Sequence, residues 1–463
     1  MHSKKALTGW MIALMNVCAI CNIKNFPLLA EYGFSIVVFL VLSAIFFFIP
    51  VAFVSAELAS GWPDKGVYTW VTEALGPRFG FLAIWLEWIE NVIWYPTILS
   101  FIVATFAYIF NPSLATNKIY VLIAILITFW SVTFMNFLGM RFSGWFSSLA
   151  ALLGTIIPIA LISILGIIWV YSGQPVQISF TVKSLMPDLT SINELVLLSG
   201  VLLGLAGMEM SAVHAKDVAD PRRDYPRGIF LSAALILGFS AFGALAIGAI
   251  VPVKEIQLAS GGMEAFSYLF KAFGFSWALP IIAAVTTFGA LGMMSTWIVG
   301  PSRGLLATAE HGNLPPLFQK KNSHGMPTHI LISQAIIVTV LSLVFLFMPS
   351  VNSSYWALVA LASILYMLMY ILMFIAAIIL RYTKPDVHRT YKIPCGNLGI
   401  WAISLLGLGG SLFGFTVGFF PPSQLDTGNL FLYESFLIGG TLVFTVLPLI
   451  IYALRKSSWK AEK

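Results

Sequence analysis

The chain has 463 residues, of which 59% are hydrophobic and only 10% charged, and its mean hydropathy is +0.92. A water-soluble chain of this length could not cover such a composition with polar surface, so this is read as an integral membrane protein, without room for tandem soluble domains. The net charge of +6 follows the topology described below and gives no support to nucleic-acid binding.

A spanning helix needs about 20 apolar residues. The pattern predicts about twelve, near 7–30, 34–58, 80–109, 119–138, 145–171, 194–217, 228–251, 275–309, 328–348, 355–380, 397–419 and 431–454. Runs such as Ile119 to Trp130 are apolar all round, whereas barrel strands would alternate with period two. The expected fold class is therefore an all-α membrane protein of about 12 helices, a single transmembrane unit over 1–463.

In chain order, the first span carries Asn16, Asn22, Lys24 and Asn25 before Pro27, a poor continuous helix at bilayer depth. Lys24 could neutralise a buried acid, contact an anionic substrate group or snorkel to an interface. Cys18 and Cys21 have a C-x2-C spacing, but with no second ligand pair they read as small packing residues rather than a metal site. The third span places Glu87, Glu90 and Asn91 among Trp85, Trp88, Trp94 and Tyr95. Asn91 is expected to face a pocket and Glu87 to take part in coupling, with interhelical ion pairing as the structural alternative for both acids. The sixth span sets Gly200, Gly204 and Gly207 before Glu209. A carboxylate there costs about 2.5–3.5 kcal/mol on insertion scales, so it needs a partner, a wet cavity or a function. Asp220 to Pro226 reads as a charged cap on the next helix. In the tenth span Tyr366 and Tyr370 share a stripe at i, i+4 and could gate a path. His214, His311, His324, His329 and His388 read as solvated groups near one membrane face.

Two interrupted spans, first and sixth, suggest inverted repeats over 1–172 (spans 1–5) and 193–381 (spans 6–10), followed by two extra helices in 396–456. Broken helices expose N–H groups at one end and C=O groups at the other, a pairing that suits a zwitterion and makes an α-amino acid the first guess. With the N-terminus inside, 20 of the 25 Lys and Arg fall on the cytoplasmic side and 4 outside, which places both termini in the cytoplasm. The first apolar segment lacks a cleavage site and is expected to be retained.

At the segments FPLLAEYG (26–33), AELASGWP (56–63), WIENVIWYPT (88–97), MEMSAVH (208–214) with PRRDYP (221–226), and STWIVGPSRG (295–304), the chain resembles the amino acid/polyamine/organocation transporter superfamily over its whole length. Within it the chain is most similar to the bacterial glutamate/GABA antiporters. The resemblance implies five-plus-five inverted symmetry and exchange of amino acids or their decarboxylation products across the inner membrane. By motif position, Cys18, Ala19, Ile20, Cys21, Asn22, Ile23 and Lys24 would form the unwound part of span 1 that holds a carboxylate, though the superfamily's glycine-rich version is absent. Leu203 and Ala206 would offer carbonyls to an ammonium, Glu209 would link protonation to gating, and Trp297 would cover the side chain. Where the antiporter family carries an acid one turn before that tryptophan, this chain has Met293, so glutamate is not assumed as substrate.

The expected function is secondary active transport of amino acids, as an antiporter working by alternating access, with an amino acid or related amine and the lipid bilayer as partners and protons as a further candidate. Proton-coupled symport of an amino acid or polyamine, and a membrane receptor, stand as the alternatives. No enzyme or nucleotide motif supports catalysis, and no cofactor or metal is expected. The tail from Arg455 to Lys463 is too short for a folded C-terminal plug.

Overall fold

The computed structural model describes residues 8–63, 66–138, 152–190, 192–209 and 224–460. No strand occurs among them. The principal helices are α1 (Gly9–Ile20), α2 (Phe26–Ala30), α3 (Ile36–Ser43), α4 (Ile49–Gly61), α5 (Val67–Leu75), α6 (Pro77–Ala107), α7 (Lys118–Asn136), α8 (Ile157–Tyr171), α9 (Leu198–Leu205), α10 (Asp224–Ile250), α11 (Gly261–Ala272), α12 (Leu279–Glu310), α13 (Thr328–Ser342), α14 (Val351–Thr383), α15 (Gly396–Val417) and α16 (Leu430–Ala453). Among the described residues, 10 helical stretches are long and apolar enough to cross a membrane. The two expected spans absent from that set are the first and the sixth, each broken near its middle. His214 and most of the 220–226 cap lie outside the described residues.

Helix starts follow ordinary capping chemistry. Asn117 Oδ1 accepts the Ile119 and Tyr120 N–H groups, each at 3.0 Å, to open α7, and Ser350 Oγ accepts the Ser353 N–H at 3.0 Å to open α14. Helix α6 forms the centre of the bundle, packed on α14, α12 and α7, while α1 lies along α10. Outward faces of α7, α15 and α16 expose apolar side chains such as Ile127, Leu405 and Leu442, as a lipid-facing belt requires.

Two π-helical turns recur in one setting. Ala44–Phe48 leads into α4, whose second residue is Pro50, and Leu152–Ile156 leads into α8, whose second residue is Pro158. A proline supplies no N–H to the carbonyl four residues earlier, here Phe46 and Gly154. Each site is met by a glycine from a distant helix. A Cβ at Gly410 would stand 2.2 Å from the Phe46 carbonyl oxygen, and one at Gly289 would stand 2.3 Å from the Gly154 Cα. Only hydrogen fits at either point.

The C-terminal end of α4 is tied to the end of α14 and to the linker between α14 and α15. Buried Glu57 receives Arg389 Nη1 at 3.1 Å and Arg381 Nη1 at 3.2 Å, while its other oxygen accepts the Ile393 N–H at 2.8 Å. Arg389 also donates to the Leu380 and Lys384 carbonyls at 2.8 and 3.0 Å and lies 5.1 Å from the Trp62 ring centroid. This gives the AELASGWP segment a structural role: its acid neutralises two arginines that arrive more than 300 residues later.

Candidate substrate site

The break in span 1 is shorter than the motif position suggests. Cys21 N–H still bonds the Val17 carbonyl at 2.9 Å, so α1 remains helical through Cys18, Ala19 and Ile20. The extended residues are Cys21 (ψ 115°) and Asn22 (ψ 132°). Asn22 Oδ1 then accepts the Lys24 N–H at 2.9 Å and starts the tight turn Ile23–Asn25, after which Pro27 enters the first turn of α2 without an N–H to lose. Asn16, expected within the break, lies in α1 and donates to Ser232 Oγ on α10 at 2.8 Å.

Span 6 breaks after α9. Ala206 is extended (ψ 159°) and Gly207 has φ +112°, a conformation side chains rarely tolerate, before helical geometry resumes at Met208 and Glu209. The other two glycines serve close approach. A Cβ at Gly200 would lie 2.6 Å from the Leu28 side chain, and one at Gly204 would lie 3.1 Å from the Asn25 amide. The two breaks therefore face each other across small residues.

Between them, α6, α12 and α14 complete a small cavity of about 50 Å3. Of the residues expected at the site, Ile20, Asn22, Lys24, Asn91, Leu203, Ala206, Met293, Trp297 and Tyr366 line it. Cys21 and Ile23 are buried but are not part of its wall, and the side chains of Cys18 and Ala19 lie outside the described residues. Glu209, Glu87 and Tyr370 are buried but do not line the cavity.

Glu209 is clamped by phenols. The Tyr366 hydroxyl donates to one carboxylate oxygen and the Tyr370 hydroxyl to the other at 2.7 Å, while Tyr370 oxygen accepts the Gly207 N–H at 3.0 Å. The acid is thus joined both to α14 and to the break in span 6, and Tyr366 presents its other side to the cavity. On α6, Asn91 Nδ2 donates to Glu90 Oε2 and to the Glu87 carbonyl, each at 2.9 Å, so the amide fixes the carboxylate that reaches the cavity. Asn22 Nδ2 contacts Met293 Sδ at 3.3 Å. Trp297 stands one turn further along α12, its carbonyl accepting the Tyr95 hydroxyl at 3.0 Å and its ring 6.1 Å from that of Trp94.

Sequence reasoning did not assign Asn25, Leu28, Trp94, Gly200, Gly204, Tyr355 or Val359 to the wall, and left Glu90 without a committed place. One signal was available. Tyr355, Val359, Tyr366 and Tyr370 recur at four, seven and four residues, a single stripe along α14.

Gly207→Ala provides a direct check of the break. The added methyl would meet the Trp297 ring at 3.3 Å in a backbone conformation that itself costs about 1–3 kcal/mol for a non-glycine residue. Purified variant protein should melt several degrees below wild type and lose ligand-induced stabilisation. A variant matching wild type in both respects would show that the Gly207 geometry is dispensable.

A family model described as amino acid permease matches residues 7–443. An uncharacterised transporter of Legionella pneumophila is 44% identical over 96% of each chain. A glutamate/gamma-aminobutyrate antiporter of Lactococcus lactis is 31% identical over 98% of this chain and 91% of its own. A probable agmatine/putrescine antiporter of the same species is 24% identical over 86% and 84%.

Proposed function

The chain belongs to the amino acid permease family, and on that premise we propose that it exchanges one amino acid for another across the membrane by alternating access. The observation that carries this reading is the meeting of two helix breaks at one buried, polar and aromatic cavity. The ends of α1 and α9 leave carbonyls without helical donors, and the segments that follow begin with N–H groups without helical acceptors. In the proposed mode the ammonium of the substrate takes carbonyls in the last turn of α9, around Leu203, and its carboxylate takes the N–H groups of Asn22 and Ile23, since those of Cys21, Lys24 and Asn25 are already bonded within the chain. Asn22, Asn91, Met293 and Trp297 shape the space for the side chain.

Glu209 is the proposed coupling group, because it bonds both the span 6 break and α14. Motion of α14 relative to the break must stretch or exchange the two phenol hydrogen bonds. Rocking of a bundle containing spans 1 and 6 about the site, termini in the cytoplasm and placement in the inner membrane of a bacterial cell belong to the same reading, the termini resting on the loop-charge asymmetry.

The test is uptake of a labelled amino acid into liposomes carrying the purified protein, preloaded singly with common amino acids, γ-aminobutyrate or agmatine. Exchange requires uptake that depends on the internal solute. Uptake driven by a pH gradient into empty liposomes would replace antiport by symport. Tight binding with no flux between about pH 4.5 and 7.5, the range over which carboxylates and histidine titrate, would leave a receptor.

A further inference from the structure

Lys24 is the sole lysine or arginine among the residues lining the cavity. It is almost completely buried, at 2% exposure, and its ammonium nitrogen lies 5.3 Å from the Trp94 ring centroid and 5.1 Å from that of Tyr355. Glu90 lines the same cavity and interacts electrostatically with it. Two aromatic faces on a nitrogen, with a carboxylate in the wall of the same cavity, are what a protein uses to hold an ammonium ligand. Here the ammonium is covalently part of the chain.

We propose that Lys24 is a built-in occupant of a cation-binding subsite formed by Trp94, Tyr355 and Glu90, so that the protein refuses substrates carrying a second ammonium or a guanidinium and accepts amino acids with neutral or anionic side chains. This rests on the cavity being the substrate site and narrows the substrate class within it. The tether sets the selectivity. Lys24 sits in the Ile23–Asn25 turn, whose start is fixed by the Asn22 side chain, so its ammonium returns to the cage at no cost in translational freedom. A free diamine would have to displace it while meeting its like charge. Rejection of this kind comes from a repulsive element built into the pocket, and it separates this chain from relatives whose names specify agmatine, putrescine or other polyamines as cargo.

The prediction is a gain of binding. In detergent, wild-type protein should show no quenching of intrinsic tryptophan fluorescence and no thermal stabilisation by agmatine or putrescine. Lys24→Met, which keeps an unbranched side chain one atom shorter and vacates the cage, should bind agmatine at least on the order of tenfold more tightly than wild type. Lys24→Arg should keep the refusal, and Lys24→Met combined with Trp94→Leu should lose the gain. If Lys24→Met does not give monodisperse protein, Lys24→Gln carries the same comparison.

Tight agmatine or putrescine binding by wild type, or equal refusal by Lys24→Met and Lys24→Gln, overturns the proposal. Failure of the two readings is separable. Wild type that exchanges amino acids while the vacated variants still refuse diamines removes only the subsite. Vacated variants that bind agmatine in a protein with no amino acid flux keep the subsite and remove the exchanger.

Discussion

Glu57→Ala should be the most destabilising single substitution in the molecule. It leaves Arg381 and Arg389 buried without a counter-charge and removes the acceptor of the Ile393 N–H, and breaking a buried ion pair from one side typically costs about 3–5 kcal/mol. Arg389 Nη2 would retain its bonds to the Leu380 and Lys384 carbonyls, but Nη1 would lose its acceptor and the charge its partner. The linker between α14 and α15 would then come away from α4. Thermal unfolding in detergent should shift down strongly, and yield of monodisperse protein should collapse. Glu57→Gln keeps an oxygen for the Ile393 N–H and should fall between the two. A Glu57→Ala variant that melts within about one degree of wild type, the scale of a perturbation of about 1 kcal/mol in a chain this long, would refute the anchoring role.

Glu209→Ala should abolish exchange while sparing most of the fold. The two phenols that now donate to the carboxylate would face an apolar gap, and each buried hydroxyl left unmatched costs about 1–3 kcal/mol. That is enough to alter the balance between two transport conformations by one to several orders of magnitude, if the phenol clamp is held in one and released in the other. Glu209→Gln is the sharper variant. Its amide accepts from one phenol only, so substrate binding measured by thermal shift should survive while exchange falls by about a hundredfold, in line with one lost buried bond of 2–3 kcal/mol. Unchanged exchange in Glu209→Gln would remove the carboxylate from the mechanism.

Much of this was legible in the chain because the bilayer constrains composition so strongly. Long apolar segments gave the spans, and two interruptions, at the asparagines of span 1 and the glycines of span 6, marked where helices could not continue. Position within the first interruption was less legible. The asparagines extend from residue 16 to 25, yet Asn16 lies inside a continuous helix and donates to Ser232, a partner more than 200 residues away. The same separation hid the function of Glu57. Helices α5 and α11, with 9 and 12 residues, are too short to register as spans and were not foreseen. Tyr355 escaped notice because its relation to Tyr366 spans three turns, beyond the i, i+4 pairing that drew attention to Tyr366 and Tyr370.

The recurrence of a π turn, a proline and a facing glycine has a bearing on selectivity. Gly289 lies one helical turn before Met293 and two before Trp297 on α12, and it rests directly against the Gly154 backbone. How far those two side chains reach toward the substrate is therefore set by a ring closure in another span, at Pro158. Any residue larger than glycine at 154 or 289 would force the two spans to shift against each other without altering a single side chain that lines the cavity. Variation in cargo among similar chains can in this way arise from positions that never touch the cargo, and pocket-lining residues alone would be an incomplete guide to what each one carries.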